Sequence, residues 1–215
     1  MYGRFHRQVI GLLLAASFLG MACDGCDAHD KVAAGDTRPV SIRLETSLGP
    51  VRCQLFTERA PHAVALITSL ALEKQSFHIA GQAKARTGRY YDGLTFFRRI
   101  PNVMVQTGCP IGDGTGYPGF RIEAELHDDD AKLLEQPGAL VMARYRAPPN
   151  RQDPNPPPKG HVIGSQFAIT LRPMLHLAGD LPVVGRCQDL NVVTKLSQAS
   201  DPPTLERLEV LEQSR

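Results

Sequence analysis

A mainly β fold, a closed antiparallel barrel with a helix over each open end, is predicted by three observations. Short segments alternate apolar and polar residues, two segments repeat with helical period, and turn residues separate them. The chain carries 19 Gly and 17 Pro in 215 residues, enough to punctuate many short strands. Val40, Ile42 and Leu44 alternate with Ser41, Arg43 and Glu45, the pattern of a half-buried strand. Gly49-Pro50 marks a turn, and Val51, Cys53 and Leu55 alternate with Arg52 and Gln54, completing a hairpin. Ala60-Pro61 opens a helix in which Ala63, Leu66, Ile67 and Leu70 recur at i, i+3, i+4 and i+7. A second short helix is predicted from Gln188 to Leu196, where Leu190, Val193 and Leu196 share a face. These elements belong to one domain, residues 40–212, of about 170 residues, a normal size for a single core.

The N-terminus is read differently. Arg4, His6 and Arg7 precede an apolar run from Val9 to Ala22, the pattern of a secretory signal over residues 1–22. That run is shorter than the about 20 residues of an ordinary membrane span. Leu19-Gly20-Met21-Ala22-Cys23 resembles a bacterial lipobox, with Gly20 where Leu is usual. Cys23 is therefore the candidate lipidated residue, with a plain secreted or periplasmic protein as the alternative. A di- or triacylated Cys would give stable membrane anchoring. Residues 23–39 are polar and lack periodicity, as expected of a tether. The expected location is the bacterial periplasm or cell envelope.

Several chemistries find no support. Net charge is +2, without a basic patch interleaved with aromatics, which argues against nucleic acid. Gly112-Asp113-Gly114-Thr115-Gly116 lacks the Gly-Lys-Ser/Thr ending of a phosphate loop. His127 with Asp128, Asp129 and Asp130 reads as a solvated turn, because consecutive carboxylates cannot all face one ion. No Ser-His-Asp context is recognisable, and no metal or cofactor is expected. Of the five cysteines, Cys53 and Cys187 lie at apolar positions in or beside strands. They read as small buried hydrophobes, a Cys53–Cys187 disulfide being the alternative.

The most informative stretch runs from Tyr90 to Gln106. Tyr91-Asp92-Gly93, Thr95-Phe96, Arg98, Ile100-Pro101, Met104, Gln106 and Gly108 resemble the motif of the cyclophilin-type peptidyl-prolyl isomerases. Phe97, Asn102, Val103 and Thr107 depart from it. Four further blocks follow in that family's order: Gly112 to Glu125, Pro137 to Arg144, Gly164 to Thr170, and Leu175 to Arg186. The resemblance implies an eight-stranded barrel capped by two helices, and catalysis of X-Pro cis/trans isomerisation. It assigns catalysis to Arg98 and Gln106, and substrate binding to Phe96, Val103, Met104, Ala143, Gln166, Ala168, His176, Leu177 and Leu181. Proline-containing polypeptides are the implied partners; oligomeric state is left open.

The departures cluster in the proline pocket. Val103 and Ala168 stand where the family has two Phe, and Leu181 where it has His. A weakened or altered isomerase acting on exported clients is the expectation, a catalytically weak or inactive peptide-binding module the alternative. Tyr145 to Ile163, rich in Pro and longer than the family's connection, is read as a surface insertion beside the cleft. The stretch Ser76–Arg89 is given no role.

Overall fold

A β-hairpin starts the fold: β1 (Val40–Thr46) pairs antiparallel with β2 (Gly49–Leu55). Buried residues alternate along both strands, as the period-two pattern requires. The turn is Ser47-Leu48, two residues earlier than expected. Gly49 already pairs with Thr46 and takes φ +118°, so its conformational freedom serves the first position of the strand. The computed structural model described here covers residues 40–79, 84–144 and 162–212. The signal, the tether with Cys23, and residues 145–161 of the Pro-rich insertion lie outside the described residues.

α1 (Pro61–Ala71) follows, with Pro at its start and no side-chain cap of its own. The Glu125 carboxylate, distant in sequence, accepts from the His62 and Ala63 N–H groups at 3.0 Å each, satisfying donors that a helix start leaves open. The helix buries Ala63, Val64, Leu66, Ile67, Leu70 and Ala71, the predicted stripe plus Val64 and Ala71. Then come β3 (Leu94–Thr95), β4 (Arg98–Ile100), β5 (Met104–Thr107) and β6 (Ile122–Glu123). A one-turn α2 (Asp130–Leu134) precedes β7 (Ala139–Arg144) and β8 (Val162–Thr170). A 3-10 turn (Leu175–Leu177), β9 (Val183–Cys187), α3 (Leu190–Gln198) and β10 (Thr204–Glu212) complete the chain. α3 lies two residues later than expected. Asp189, which precedes it, has φ 55°, outside the helical region, and binds Arg52 through its carboxylate. Those hydrogen bonds hold the Asp189 carboxyl below the usual carboxylate range.

All the strands join one antiparallel sheet of order β3-β10-β1-β2-β9-β7-β8-β5-β4, with β6 beside β8. Among the described residues the sheet holds ten short strands, β3 and β6 only two residues long, in the mainly β architecture expected. The two ends of that order, β3 and β4, are separated in the chain only by Phe96-Phe97, so the sheet must curl back on itself. The Thr107 hydroxyl spans the seam, donating to the Thr95 carbonyl at 2.9 Å. Inside lies the main apolar cluster, including Ile42, Leu44, Phe96, Val105, Leu140, Met142, Phe167 and Ile169, with α1 and α3 packed on it. A smaller cluster (Met104, Leu134, Ala139, Val141, Ala168 and Val183) lies on the other face of β5, β8 and β7.

Two expectations change. Cys53 and Cys187 face each other in register between β2 and β9 and are disulfide-bonded, so they are more than small buried hydrophobes. Antiparallel pairing brings opposed side chains within bonding reach, which spacing along the chain cannot reveal. The acidic turn is not uniformly solvated either. Asp130 is wholly buried and paired with Arg59 at 2.7 Å, and it accepts from the His127 N–H at 3.1 Å.

The disulfide closes a separation of 134 residues, so it strongly restricts the unfolded chain. Replacing both cysteines by Ala should lower unfolding free energy by about 2–4 kcal/mol, the usual range for a native disulfide. Urea denaturation of the oxidised protein and of the double variant checks this; coincident midpoints would show that the bond contributes nothing.

Candidate functional site

Strand register builds the site. Arg98 on β4 pairs with Gln106 on β5, Gln106 with Ala168 on β8, and Ala168 with Val141 on β7. Ile100, Met104 and Thr170 form a second row two residues along. Period two sends both rows to one face, with Gln166 and Ala143 each two residues further along their strands. The alternate residues, Val105, Ile169, Leu140 and Phe167, fill the barrel interior. The site therefore lies on the outer face of the sheet, backed by a packed core.

Those rows floor a cleft of about 520 Å³, walled on the far side by Met174, His176, Leu177, Asp180 and Leu181. Nine of the eleven residues assigned from sequence line it: Arg98, Gln106, Met104, Ala143, Gln166, Ala168, His176, Leu177 and Leu181. Two do not. Phe96 is 1 % exposed and belongs to the interior cluster; it lies between β3 and β4, so the alternation that carries Arg98 to the cleft does not extend to it. Val103 sits in the turn between β4 and β5, half-buried, and packs on the smaller apolar cluster without reaching the cleft. Its carbonyl accepts from the Leu171 N–H at 2.7 Å. With only a Val side chain there, the wall that a Phe could have formed is absent.

Sequence reading missed Ile100, Val141, Arg144, Thr170, Met174 and Asp180, all of which line the cleft. Period two from Ala168 and Ala143 identifies Thr170 and Val141. Met174 had no such signal: it follows the irregular Leu171-Arg172-Pro173 segment after β8, and its N–H donates to the Leu134 carbonyl at 2.9 Å. It packs against the same cluster as Leu177 and Leu181, supplying apolar bulk opposite Ala168.

The polar half of the site is a chain of amides. The Arg98 guanidinium donates to Gln106 Oε1 at 3.5 Å. Gln106 Nε2 donates to Gln166 Oε1 at 3.0 Å, and Gln166 Nε2 donates to the Gly114 and Gly116 carbonyls at 2.9 and 2.8 Å. Gln106 and Gln166 are each only 8 % exposed, so each hydrogen bond restricts them strongly. Arg98 itself is exposed. Its neighbour Arg99 points to the other face and donates to the Ala199 and Asp201 carbonyls just past α3. That clamp, with the Asn102 N–H donating to Ser197 at 3.1 Å, holds β4 and thereby aims Arg98.

The 112–119 loop that receives Gln166 is itself braced. The buried Cys109 sulfur accepts from the Gly114 and Gly116 N–H groups at 3.2 Å each. The Thr115 N–H and hydroxyl both donate to Asp113, holding its carboxyl below the usual range. Below, Gly108 has φ +90°, and a Cβ placed there would meet the Ser165 carbonyl oxygen at 2.3 Å. The Ser165 hydroxyl donates to the Gly108 carbonyl at 2.7 Å and shares a 2.7 Å hydrogen bond with the Tyr90 hydroxyl. The Tyr91 hydroxyl donates to the Ser165 carbonyl at 3.2 Å. Burial pushes both tyrosines upward, so they stay neutral. Among the described residues, no group of His, Cys, Asp or Glu is placed to hold a metal ion.

A fixed guanidinium, a restrained amide and an apolar recess suit a substrate that changes shape without bond cleavage. Comparison with known proteins agrees. Residues 41–212 match the family model described as cyclophilin type peptidyl-prolyl cis-trans isomerase/CLD. A peptidyl-prolyl cis-trans isomerase of Synechococcus elongatus is 36% identical over 156 residues, covering 71% of this chain and 86% of that protein. The peptidyl-prolyl cis-trans isomerase-like 1 of Mus musculus is 33% identical over 163 residues, covering 74% and 80% respectively. The crystal structure of a Cryptosporidium parvum cyclophilin type isomerase superposes with a TM-score of 0.61 at 22% identity, over 82% of this chain and 99% of that one. A second structure of that protein, determined in the presence of the dipeptide Ala-Pro, gives 0.60 at 21% identity. This chain, with the barrel and the Arg98–Gln106 row that its motifs imply, belongs to the cyclophilin-type peptidyl-prolyl cis-trans isomerase family and is an isomerase of that type.

Proposed function

We propose that Arg98 and Gln106 isomerise X-Pro bonds of exported polypeptides, with looser proline binding than an aromatic pocket gives. The observation that carries this reading is the Arg98–Gln106–Gln166 array on the floor of the cleft. Rotation about a peptide bond must break its partial double-bond character, a barrier of about 18–20 kcal/mol. No nucleophile or metal is needed for that; the catalyst must bind the twisted amide better than either planar form. As the bond twists, the proline nitrogen gains a lone pair that can accept a hydrogen bond. Arg98 is always charged and offers several donors in a rigid fork, so it fits that task. Gln106 keeps a second amide hydrogen for the substrate carbonyl while its first is held by Gln166. Met104, Ala143, Leu177 and Leu181, with Met174, surround the ring.

The binding half is reduced. Ala168 leaves space at the centre of the floor, and Val103 does not reach the cleft. Two missing aromatic contacts are worth about 3–5 kcal/mol on the scale of large-to-small truncation, which Met174 offsets in part. Clients containing proline are the proposed partners; the Ala-Pro dipeptide used with the Cryptosporidium structure is of this class.

Export and lipid anchoring form the second part of the proposal. The basic start, the apolar Val9–Ala22 run and the lipobox-like Leu19-Gly20-Met21-Ala22-Cys23 support it. The Cys53–Cys187 disulfide adds an independent argument, since such bonds persist in oxidising compartments such as the periplasm.

Arg98→Ala should lower kcat/KM by about 100-fold or more, as loss of a transition-state donor does, while leaving stability nearly unchanged because Arg98 is exposed. A protease-coupled or NMR exchange assay measures this; wild-type rates in the variant would remove Arg98 from the mechanism. Gln166→Ala should reduce kcat/KM about tenfold and cost about 1–3 kcal/mol of stability, because Gln106 and two loop carbonyls lose their partner. Full activity in that variant would show that Gln106 needs no orientation. For the anchor, Cys23→Ala should move the protein from the membrane to the soluble fraction of its host, and persistent membrane association would sink the lipid proposal.

A further inference from the structure

We propose that Cys109 is a positioning residue for the isomerisation: through the 112–119 loop it sets which end of the Gln106 amide faces the substrate. The inference rests on the isomerase reading and adds to it a residue that touches no substrate. A Gln amide donates at one end and accepts at the other, so a row of such amides needs something to fix its direction. Two loop carbonyls do so. A carbonyl only accepts, and Gly114 and Gly116 therefore take the Nε2 end of Gln166, at 2.9 and 2.8 Å. Gln166 is left to offer Oε1 to Gln106 Nε2 at 3.0 Å, and Gln106 turns its own Oε1 to the Arg98 guanidinium. The second hydrogen on Gln106 Nε2 is the one that remains for a substrate carbonyl. A reversed row would set oxygen against oxygen at the loop and donor against donor at Arg98.

Cys109 keeps those carbonyls in place. The two glycines that accept from Gln166 are the two that donate their N–H groups to the buried Cys109 sulfur, each at 3.2 Å. Each is thus held on both sides of its Cα, by an amide through its carbonyl and by one sulfur through its N–H. The thiol hydrogen points weakly to Asp113 Oδ1, 3.7 Å from the sulfur, and the same oxygen accepts from the Thr115 N–H and hydroxyl. Four successive residues, Asp113 to Gly116, are ordered around one side chain. Steric contacts fix the same path independently: a Cβ on Gly114 would lie 3.0 Å from Phe97, and one on Gly116 2.9 Å from Pro110. Alanine at 109 would leave the buried Gly116 N–H without an acceptor, so the loop would have to shift to satisfy it and its carbonyls would shift too. Serine there would keep an acceptor for the loop.

Turnover of an Ala-Pro peptide, followed by NMR exchange with the Cys53–Cys187 bond intact, tests this. Cys109→Ala should lower kcat about tenfold, the size of one orphaned buried donor. KM should change by less than about twofold, because the apolar walls of the cleft stay where they are. Cys109→Ser should recover kcat to within about threefold of wild type. In a Gln166→Ala background the loss caused by Cys109→Ala should vanish, since the row is already cut. A sulfur that only stabilises the fold would cost the same in both backgrounds. One reading needs no variant: the Gly114 and Gly116 amides of the wild-type protein should exchange slowly with solvent, and exchange at open-loop rates overturns the hold. Unchanged kcat in Cys109→Ala, or equal losses in the two backgrounds, overturns the positioning role and leaves the isomerase standing. Absence of turnover by folded wild-type protein overturns both.

Discussion

Gly108 meets the Ser165 carbonyl so closely that no side chain fits between them, and the geometry of the site depends on that contact. It occurs where β5 leaves its ladder with β8, two residues after Gln106 and one before Gln166 on the facing strand. The contact is reinforced from the interior: Tyr90 and Tyr91 hydrogen-bond to Ser165, and Ser165 to Gly108. A buried polar cluster of this kind contributes when all its members are satisfied, and it specifies one register over its neighbours. Slippage by one residue would turn Gln106 into the core and Val105 into the cleft. The Tyr-Asp-Gly part of the motif therefore acts behind the sheet, far from substrate, and still decides which face Arg98 and Gln106 occupy.

How much of this was readable from the sequence differs by level. Strand and helix positions followed from period, because residues such as Ile42, Leu44, Leu66 and Leu70 need only local alternation or helical spacing to be recognised. Cleft residues on β4, β5, β7 and β8 were readable once the motif gave a starting point, since parity then assigns Met104, Gln166 and Ala143. Phe96 was misassigned because proximity in sequence to Arg98 says nothing about side; two residues apart means the same face only within one continuous strand, and Phe96 lies between β3 and β4. Arg144 and Asp180 could not be read, because alternation along β7 puts Arg144 on the side of Met142, away from Ala143, and Asp180 is brought in by an irregular segment. The disulfide belongs to the same class, as its partners meet only through the β2–β9 pairing.

Adjacent Arg98 and Arg99 illustrate how a sheet divides labour between neighbouring residues of the same type. Arg99 has its guanidinium committed to two carbonyls past α3, an arrangement that also satisfies groups a helix end leaves open. Arg98, one residue away and on the other face, has among the described residues only the long contact to Gln106, and it lines the cleft. The first is a structural clamp and the second is free to meet a substrate. The clamp makes the freedom useful, because a guanidinium on a strand that could twist would have to be oriented during the reaction, at a cost to the rate.

The two halves of the cleft bear on different kinetic quantities. Apolar contacts to the proline ring are made in the cis, trans and twisted forms alike, so they contribute mainly uniform binding and enter KM. The hydrogen bond to the pyramidal nitrogen exists only as the amide twists, so it enters kcat. In this chain the polar half is held by consecutive amide hydrogen bonds, by a braced loop and by the Gly108–Ser165 contact. The apolar half has small residues at Ala143 and Ala168, with Met174, Leu177 and Leu181 around them. Met is unbranched and adapts to differently shaped neighbours, whereas an aromatic wall fits one ring well. In the proposed mechanism, a site so divided accelerates rotation through its polar half and holds the ring less tightly. Affinity for a client then comes, in that mechanism, from contacts elsewhere along the polypeptide.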